Sequence, residues 1–188
     1  MRQATPKVLG GAGFGTALAV AFAGFFGAFS TMPQQQAPIF ANDRATEAGQ
    51  WKLEPSQVYI TAERAFGVSP VKGELLLVFE ATLENRTSQS TNDYLSVFRP
   101  EDKLGPILKA PIVVLTRDGS FGPELHPGMP ERIAYMWRMP ATVPIPQEIG
   151  FTVLAKSFKS QDNLYGMPNW LNQHAIGTFR FLNIGKGS

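Results

Sequence analysis

The sequence predicts an all-β outer domain, built as an antiparallel sandwich and preceded by one transmembrane α-helix. Three observations predict it. Val8 to Phe29 holds 22 residues without a charge. From Trp51 onward the apolar period is 2, the period of a strand with one buried face. Clusters of Gly, Pro, Asn and Asp interrupt that alternation, and no long helical pattern lies between them. The chain accordingly divides into a cytoplasmic tail at 1–7, the span at 8–29, a linker at 30–50 and an extracytoplasmic β-sandwich domain at 51–188.

At 1.5 Å per residue the span is about 33 Å long, enough for a hydrocarbon core of roughly 30 Å. Gly11, Gly15, Ala19, Ala23 and Gly27 recur every four residues on one helical line, and Phe14, Leu18, Phe22 and Phe26 form the bulky ridge beside it. Small residues at that spacing let a second helix backbone approach closely. This stripe is therefore expected to be the helix-packing interface with integral membrane protein subunits. A cleaved signal peptide is the competing reading, with Arg2 and Lys7 as its basic region and Ala21 and Ala23 as a small-x-small pair. That pair lies inside an apolar run longer than the usual 7–15 residues, so retention in the cell membrane is expected. The chain has no cysteine, which excludes a lipobox anchor and any disulfide in the outer domain.

Arg2 and Lys7 precede the span, and no charge follows it until Asp43. The positive-inside rule places the N-terminus in the cytoplasm, making the protein single-pass with its C-terminal domain outside. The two leading cations also account for the whole net charge of +2, leaving 15 basic and 15 acidic side chains beyond them. A neutral domain lacks the concentrated basic face that a phosphate backbone demands, so nucleic acid is excluded as a partner.

Residues 30–50 carry two prolines and a glutamine run without a hydrophobic period, which reads as a linker. Ile39 and Phe40 are its docking points if it is ordered. Strands follow. Val58, Ile60 and Ala62 alternate. In Gly73 to Asn85, the side chains of Leu75, Leu77, Phe79, Ala81 and Leu83 share one face, with Glu74, Glu80, Thr82 and Glu84 opposite. Tyr94 to Arg99 and Ile112 to Thr116 read as shorter strands. Ile133, Tyr135, Trp137 and Met139 alternate, as do Ile149, Phe151, Val153 and Ala155, and Gly177 to Leu182 closes the set. Ser69-Pro70, Asn85 to Asn92, Asp118-Gly119, His126-Pro127-Gly128 and Pro144 to Pro146 supply the turns.

Two segments carry a resemblance. Gly73-Glu-Leu-Leu-Leu-Val-Phe-Glu-Ala-Thr-Leu-Glu-Asn-Arg-Thr87 resembles the central strand of bacterial telokin-like, immunoglobulin-type extracytoplasmic domains, which ends at an Asn before a polar turn. Leu125-His-Pro-Gly-Met-Pro-Glu-Arg-Ile133 is similar to the Leu-x-Pro-Gly turn before a later strand of the same families. The two cover about a quarter of the outer domain and imply an immunoglobulin-like sandwich. One span joined to such a domain resembles, in size and layout, the small accessory subunits of actinobacterial respiratory supercomplexes.

Chemistry is sparse. Without cysteine there is no thiol nucleophile, and no Gly-x-Ser-x-Gly elbow occurs. His126 and His174 are the only histidines, too few nitrogen donors for a zinc site. His126, Met129, Met136, Met139, Met167 and His174 could together be soft ligands for Cu(I); Met136 and Met139, three apart, are expected on opposite faces of one strand. Glu124 and Glu131 could pair as acid and base, but flank a turn where carboxylates are ordinarily solvated. Asn85-Arg86-Thr87 matches a glycosylation sequon, and a turn is the simpler reason for it. The expectation is therefore no catalytic, cofactor-binding or metal residue, and no enzyme.

Ser160 to His174 is denser in apolar residues than a solvent-facing connection requires. Leu164, Tyr165, Met167, Trp170 and Leu171 are the outer interface candidates; the alternative is that Tyr165 and Trp170 fold back as a lid on the sandwich. The turn from Asp118 to Met129, with Phe121 and Leu125, is a second candidate. The leading functional expectation is a non-catalytic, membrane-anchored accessory subunit of a bacterial membrane protein complex, with a respiratory cytochrome supercomplex as the host. The alternative is a tethered cell-envelope module that binds a ligand or secreted protein.

Overall fold

The computed structural model describes residues 37–101, 104–163, 166–182 and 184–186. The span at 8–29 and its stripe of Gly11, Gly15, Ala19, Ala23 and Gly27 lie outside the described residues, as do Leu164 and Tyr165. Among the described residues no helix is long and apolar enough to cross a membrane.

Among the described residues ten strands run in chain order: β1 (Ile39–Phe40), β2 (Thr46–Ala48), β3 (Trp51–Thr61), β4 (Glu74–Asn85), β5 (Phe98–Pro100), β6 (Ile112–Leu115), β7 (Pro130–Pro140), β8 (Glu148–Lys159), β9 (Asn169–Leu182) and β10 (Gly185–Lys186). They form a four-stranded sheet ordered β1-β9-β8-β5 and a six-stranded sheet in which β10-β3-β4-β7-β6 is joined by β2 on β3. The expected all-β sandwich is what the chain forms. Its long strands pair antiparallel, but β1 on β9 and β10 on β3 pair in parallel.

The alternation in β4 explains the core. Leu77, Phe79, Ala81 and Leu83 point between the sheets and meet Tyr135, Trp137 and Met139 of β7 and Phe151 and Val153 of β8. Phe79 sits at the centre, stacked on Phe151 with ring centroids 4.6 Å apart and edge-on to Phe98 at the same distance. Aromatic pairs in those geometries add about 0.5–1.5 kcal/mol each beyond the area they bury.

The structure corrects four expectations. The sandwich begins before residue 51, because β1 and β2 occupy the second half of the expected linker; Ile39 and Phe40 do dock, and Phe40 packs on Phe179 at 5.5 Å. Close approach there requires glycine, since a Cβ at Gly177 would overlap the Phe40 ring and the Pro38 carbonyl. The other face of β4 is not uniformly polar: Leu76 and Val78 join Val114, Ala134 and Met136 in a second apolar cluster, covered by Ala65 and Val68 from the connection before β4. Tyr94 to Arg99 is not one strand. Asp93–Ser96 is a 3-10 turn leading to the three-residue β5, because the buried Tyr94 hydroxyl is drawn to the Pro123 carbonyl at 2.6 Å. Finally, β9 starts at Asn169, so Trp170 and Leu171 belong to a strand.

Candidate functional site

Four connections meet at one end of the sandwich: the β2–β3 turn at Gly49 and Gln50, the 86–92 segment after β4, the turn before β7, and the β8–β9 hairpin. Asn85 ties two of them together. Its side chain is fully buried. Its amide donates to the carbonyls of Gln89 and Leu125, both at 2.8 Å, and its Oδ1 accepts from the Thr87 N–H at 2.9 Å. Backbone bonds between Thr91 and Leu125, and from Gly128 N–H to the Asn85 carbonyl, complete the lock. A fully buried amide so engaged cannot carry a glycan in the folded protein; the sequon is a turn, as its sequence suggests.

Against this frame the β8–β9 hairpin sets an aromatic pair. Phe158 and Trp170 are directly opposite each other across the strands, with ring centroids 5.3 Å apart and planes tilted by 55°. Phe158 is 55% exposed and Met167 63%. Trp170 is half-buried: its six-membered ring passes over the β2–β3 turn, where the ideal Cβ position of Gly49 lies 3.5 Å away, and Gly49 has φ +64°. The hairpin tip is closed by Asp162, whose N–H donates to the Met167 carbonyl at 2.9 Å and whose carbonyl accepts from Gly166 at 3.2 Å.

Between the frame and the hairpin is a cleft of ≈ 290 Å³, walled by Phe158, Pro168 and Trp170 and rimmed by Asn169, Gln50, Asp93 and the run Thr87 to Thr91. Charge within it is already matched. Asp93 accepts from Lys156 at 2.8 Å and from the Gln50 amide at 3.0 Å. Burial alone would raise its carboxyl; the Lys156 and Gln50 hydrogen bonds and the Lys156 charge outweigh that and hold it below the usual carboxylate range. The Ser88 hydroxyl and the Gln89 side-chain amide carry no protein hydrogen bond among the described residues, and Asn169 uses only its Oδ1, to accept from the Trp170 N–H at 2.8 Å.

Of the outer interface candidates, Met167, Trp170 and Leu171 are described, and Trp170 lines the cleft. Phe158 is the residue that sequence reading missed. It lies on the strand just before the apolar-rich segment, and its exposed direction depends on the β8 register, which shifts between Ala155 and Ser157.

The fold does not assemble the other constellations. Met136 and Met139 point to opposite faces of β7, into the two separate clusters. His174 is exposed on β9, with Nδ1 2.9 Å from the Asn172 carbonyl. His126 and Met129 do line one cavity of ≈ 200 Å³, together with Glu124 and Glu131, but Glu131 is held by Arg117 at 2.7 Å. Among the described residues no group of three or more His, Asp or Glu could hold a metal ion. Ser90 Oγ lies 2.7 Å from His126 Nδ1, a contact that fastens the 86–92 segment to the turn before β7. One Ser-x-x-Lys spacing does occur, Ser69 to Lys72, with both residues exposed in the connection before β4.

Architecture and site together define a β-sandwich with a framed, aromatic-walled cleft at one end. No protein-family model and no curated protein matches the chain. Among solved structures, an uncharacterised β-sandwich protein from Clostridium difficile 630 superposes with a TM-score of 0.54 at 7% identity, over 81% of this chain and 98% of that one. At that identity the likeness concerns the fold alone, and it agrees that the chain is a β-sandwich.

Proposed function

We propose that the protein is a non-catalytic recognition module of the bacterial cell envelope, tethered by the span expected at 8–29 and presenting its sandwich outside the membrane. Within the sandwich class we read it as immunoglobulin-like, on the strength of the long β4 ending at Asn85 and the Leu125 to Gly128 turn. The observation that carries the functional reading is the cleft at the β8–β9 end. A permanent subunit interface buries roughly 800 Å² or more per partner, with an apolar core. The surface around Phe158 and Trp170 is instead dominated by hydroxyls and amides, and it is concave, as suits a ligand.

The accessory-subunit reading is second, favoured by the exposure of Phe158 and Met167 at the same end. In it, the helix stripe would hold integral membrane subunits of a host such as a respiratory supercomplex. Purification of the full-length chain through a C-terminal tag in mild detergent, followed by native mass analysis and a haem spectrum, separates the two. A tethered module elutes without a stable assembly, and the double change Gly15→Leu/Ala19→Leu leaves its behaviour unchanged. A large co-eluting assembly that dissociates with that change overturns the module reading, and haem bands would make the host respiratory.

A further inference from the structure

From the chemistry of its lining, we infer that the cleft between the 86–92 segment and the β8–β9 hairpin binds a neutral saccharide. The inference rests on the recognition-module reading and names its ligand class. Each competing class fails on a particular feature. A phosphate or carboxylate ligand needs an available cation, and the lining of the cleft holds no lysine or arginine; Lys156, which reaches the rim at Asp93, is spent on it at 2.8 Å. A cationic ligand needs an available carboxylate, and that same pair consumes it. A wholly apolar ligand would bury Ser88, Gln89 and Asn169 without replacing their bonds to water, which costs free energy for every group left unpaired.

A pyranose answers all three features. Its axial C–H groups present an apolar face to an aromatic ring, while its equatorial hydroxyls both donate and accept. The cleft offers the matching parts in the matching places. Phe158 and Trp170 form the apolar wall. Along the facing rim, the Gln89 amide both donates and accepts and the Ser88 hydroxyl does the same, while beside the wall, on β9, the Asn169 NH₂ donates. The volume of ≈ 290 Å³ is at the small end of ligand clefts, the scale of one sugar ring with part of a neighbour.

The frame also suits weak, rigid recognition. Asn85 fixes the Thr87 to Gln89 backbone before any ligand arrives, and Trp170 is seated on the Gly49 turn. Little ordering therefore remains to oppose binding.

The test uses the full-length chain in a detergent without a sugar headgroup, because a maltoside would itself present the ligand class. Cellotriose and the N-acetylglucosamine trimer are titrated to about 10 mM, in the weak-affinity range, while acrylamide quenching of tryptophan is followed. Trp51 and Trp137 are almost fully buried, so quenching reports on Trp170. The expected result is saturable protection from quenching by at least one trimer. Affinity should fall about tenfold in Gln89→Ala and in Ser88→Ala/Asn169→Asp, surface changes of which the last removes the NH₂ donor but keeps the Oδ1 that accepts from the Trp170 N–H, and should be unchanged in Phe121→Ser, an exposed position outside the cleft. Selectivity for the acetamido trimer would mark an amino-sugar glycan, and equal binding a plain hexose polymer. Absence of protection by either sugar, or equal protection in the Gln89 and Ser88/Asn169 variants, overturns the saccharide assignment. If the sugars fail while a tagged chain captures a protein in a Trp170-dependent way, the saccharide is wrong and the recognition reading stands.

Discussion

Replacing Asn85 tests both the fold and the framing of the cleft. In Asn85→Ala the Leu125 carbonyl, buried with its residue, loses its 2.8 Å donor and keeps only the 3.2 Å bond from Thr91 N–H. The Gln89 carbonyl retains the Thr87 hydroxyl at 2.9 Å, and Thr87 itself can reach water. One buried group left under-satisfied costs about 1–3 kcal/mol, and the lost bonds at the half-exposed partners add about 1 kcal/mol. The expected total is about 2–4 kcal/mol, or roughly 5–15 °C in Tm for a domain of this size. Asn85→Asp keeps the shape but turns an acceptor toward two carbonyl oxygens, for a further cost of about 1–3 kcal/mol at pH 7. The introduced carboxyl is buried without a cation, so its folded-state pKa is raised. Stability contributed by its neutral form is complete below the unfolded carboxyl pKa and lost as pH rises. Asn85→Asp must therefore lose stability relative to Asn85→Ala from pH 4 to pH 7. Urea unfolding followed by circular dichroism at several pH values measures this. A fully stable Asn85→Ala, or a pH-independent difference between the two variants, would refute the reasoning.

Other consequences follow from the same packing. Glu80 is 2% exposed and accepts from Gln57 at 2.7 Å while pairing with Arg132 at 2.7 Å. Arg132→Ala should cost about 1–3 kcal/mol, discounted because the arginine is half-exposed, and adding Glu80→Gln should restore part of it in a double-mutant cycle. Burial raises Tyr94 to about 12; burial and then Glu80 raise Tyr59 to about 12; and burial and then Tyr94 raise Tyr135 well above the usual range. These phenols stay neutral in the folded state when the unfolded chain ionises near pH 10. Stability is therefore complete below pH 10 and lost as pH rises toward 12, by about 3 kcal/mol for the fully buried Tyr94 alone; a flat denaturation midpoint from pH 9 to 11 would contradict this. Gly177→Ala should expel Phe40 and release β1, raising hydrogen exchange at the Thr178 amide, which bonds the Pro38 carbonyl at 2.9 Å. Gly177→Ala/Phe40→Ala should recover only part of the protection, because the overlapping ring is gone while the Pro38 carbonyl still lies 2.7 Å from the added Cβ.

The long strands were legible because each buries one face, and period 2 records burial directly. β3, β4, β7 and β8 were all found from that signal. β1 and β2, with two and three residues, are too short to express a period, and their pairing is decided by partners far along the chain. β9 is obscured differently. Asn172, with φ +55°, and the register shifts between Val153 and Leu154 and between Ala155 and Ser157 break the alternation, so its first half reads as loop. The second apolar cluster was hidden for a third reason. Leu76 and Val78 stand on the polar side of a half-buried pattern, and only the folding back of Ala65 and Val68 makes that side internal. Of the cleft, Trp170 was visible through composition. The Thr87 to Thr91 rim was visible only as a turn, since nothing in a run of hydroxyls indicates which surface it will face.

Trp170 also shows why a lid and a binding surface are poor alternatives for one residue. Its ring meets the Gly49 turn at one edge, which is what closing the sandwich requires, and it lines the cleft beside Phe158. The ring is half-buried before anything binds, so a ligand stacking there has less side-chain freedom to remove than at an exposed tryptophan. Gly49 is the condition for this. A side chain there would meet the Lys156 carbonyl at 2.6 Å and would be strained at positive φ. Gly49→Ala should therefore unseat Trp170 and raise its acrylamide quenching. Because Gly49 lines no part of the cleft itself, a loss of ligand affinity in that variant would measure how much recognition depends on the seating of the ring, and unchanged quenching would show that the turn does not hold it.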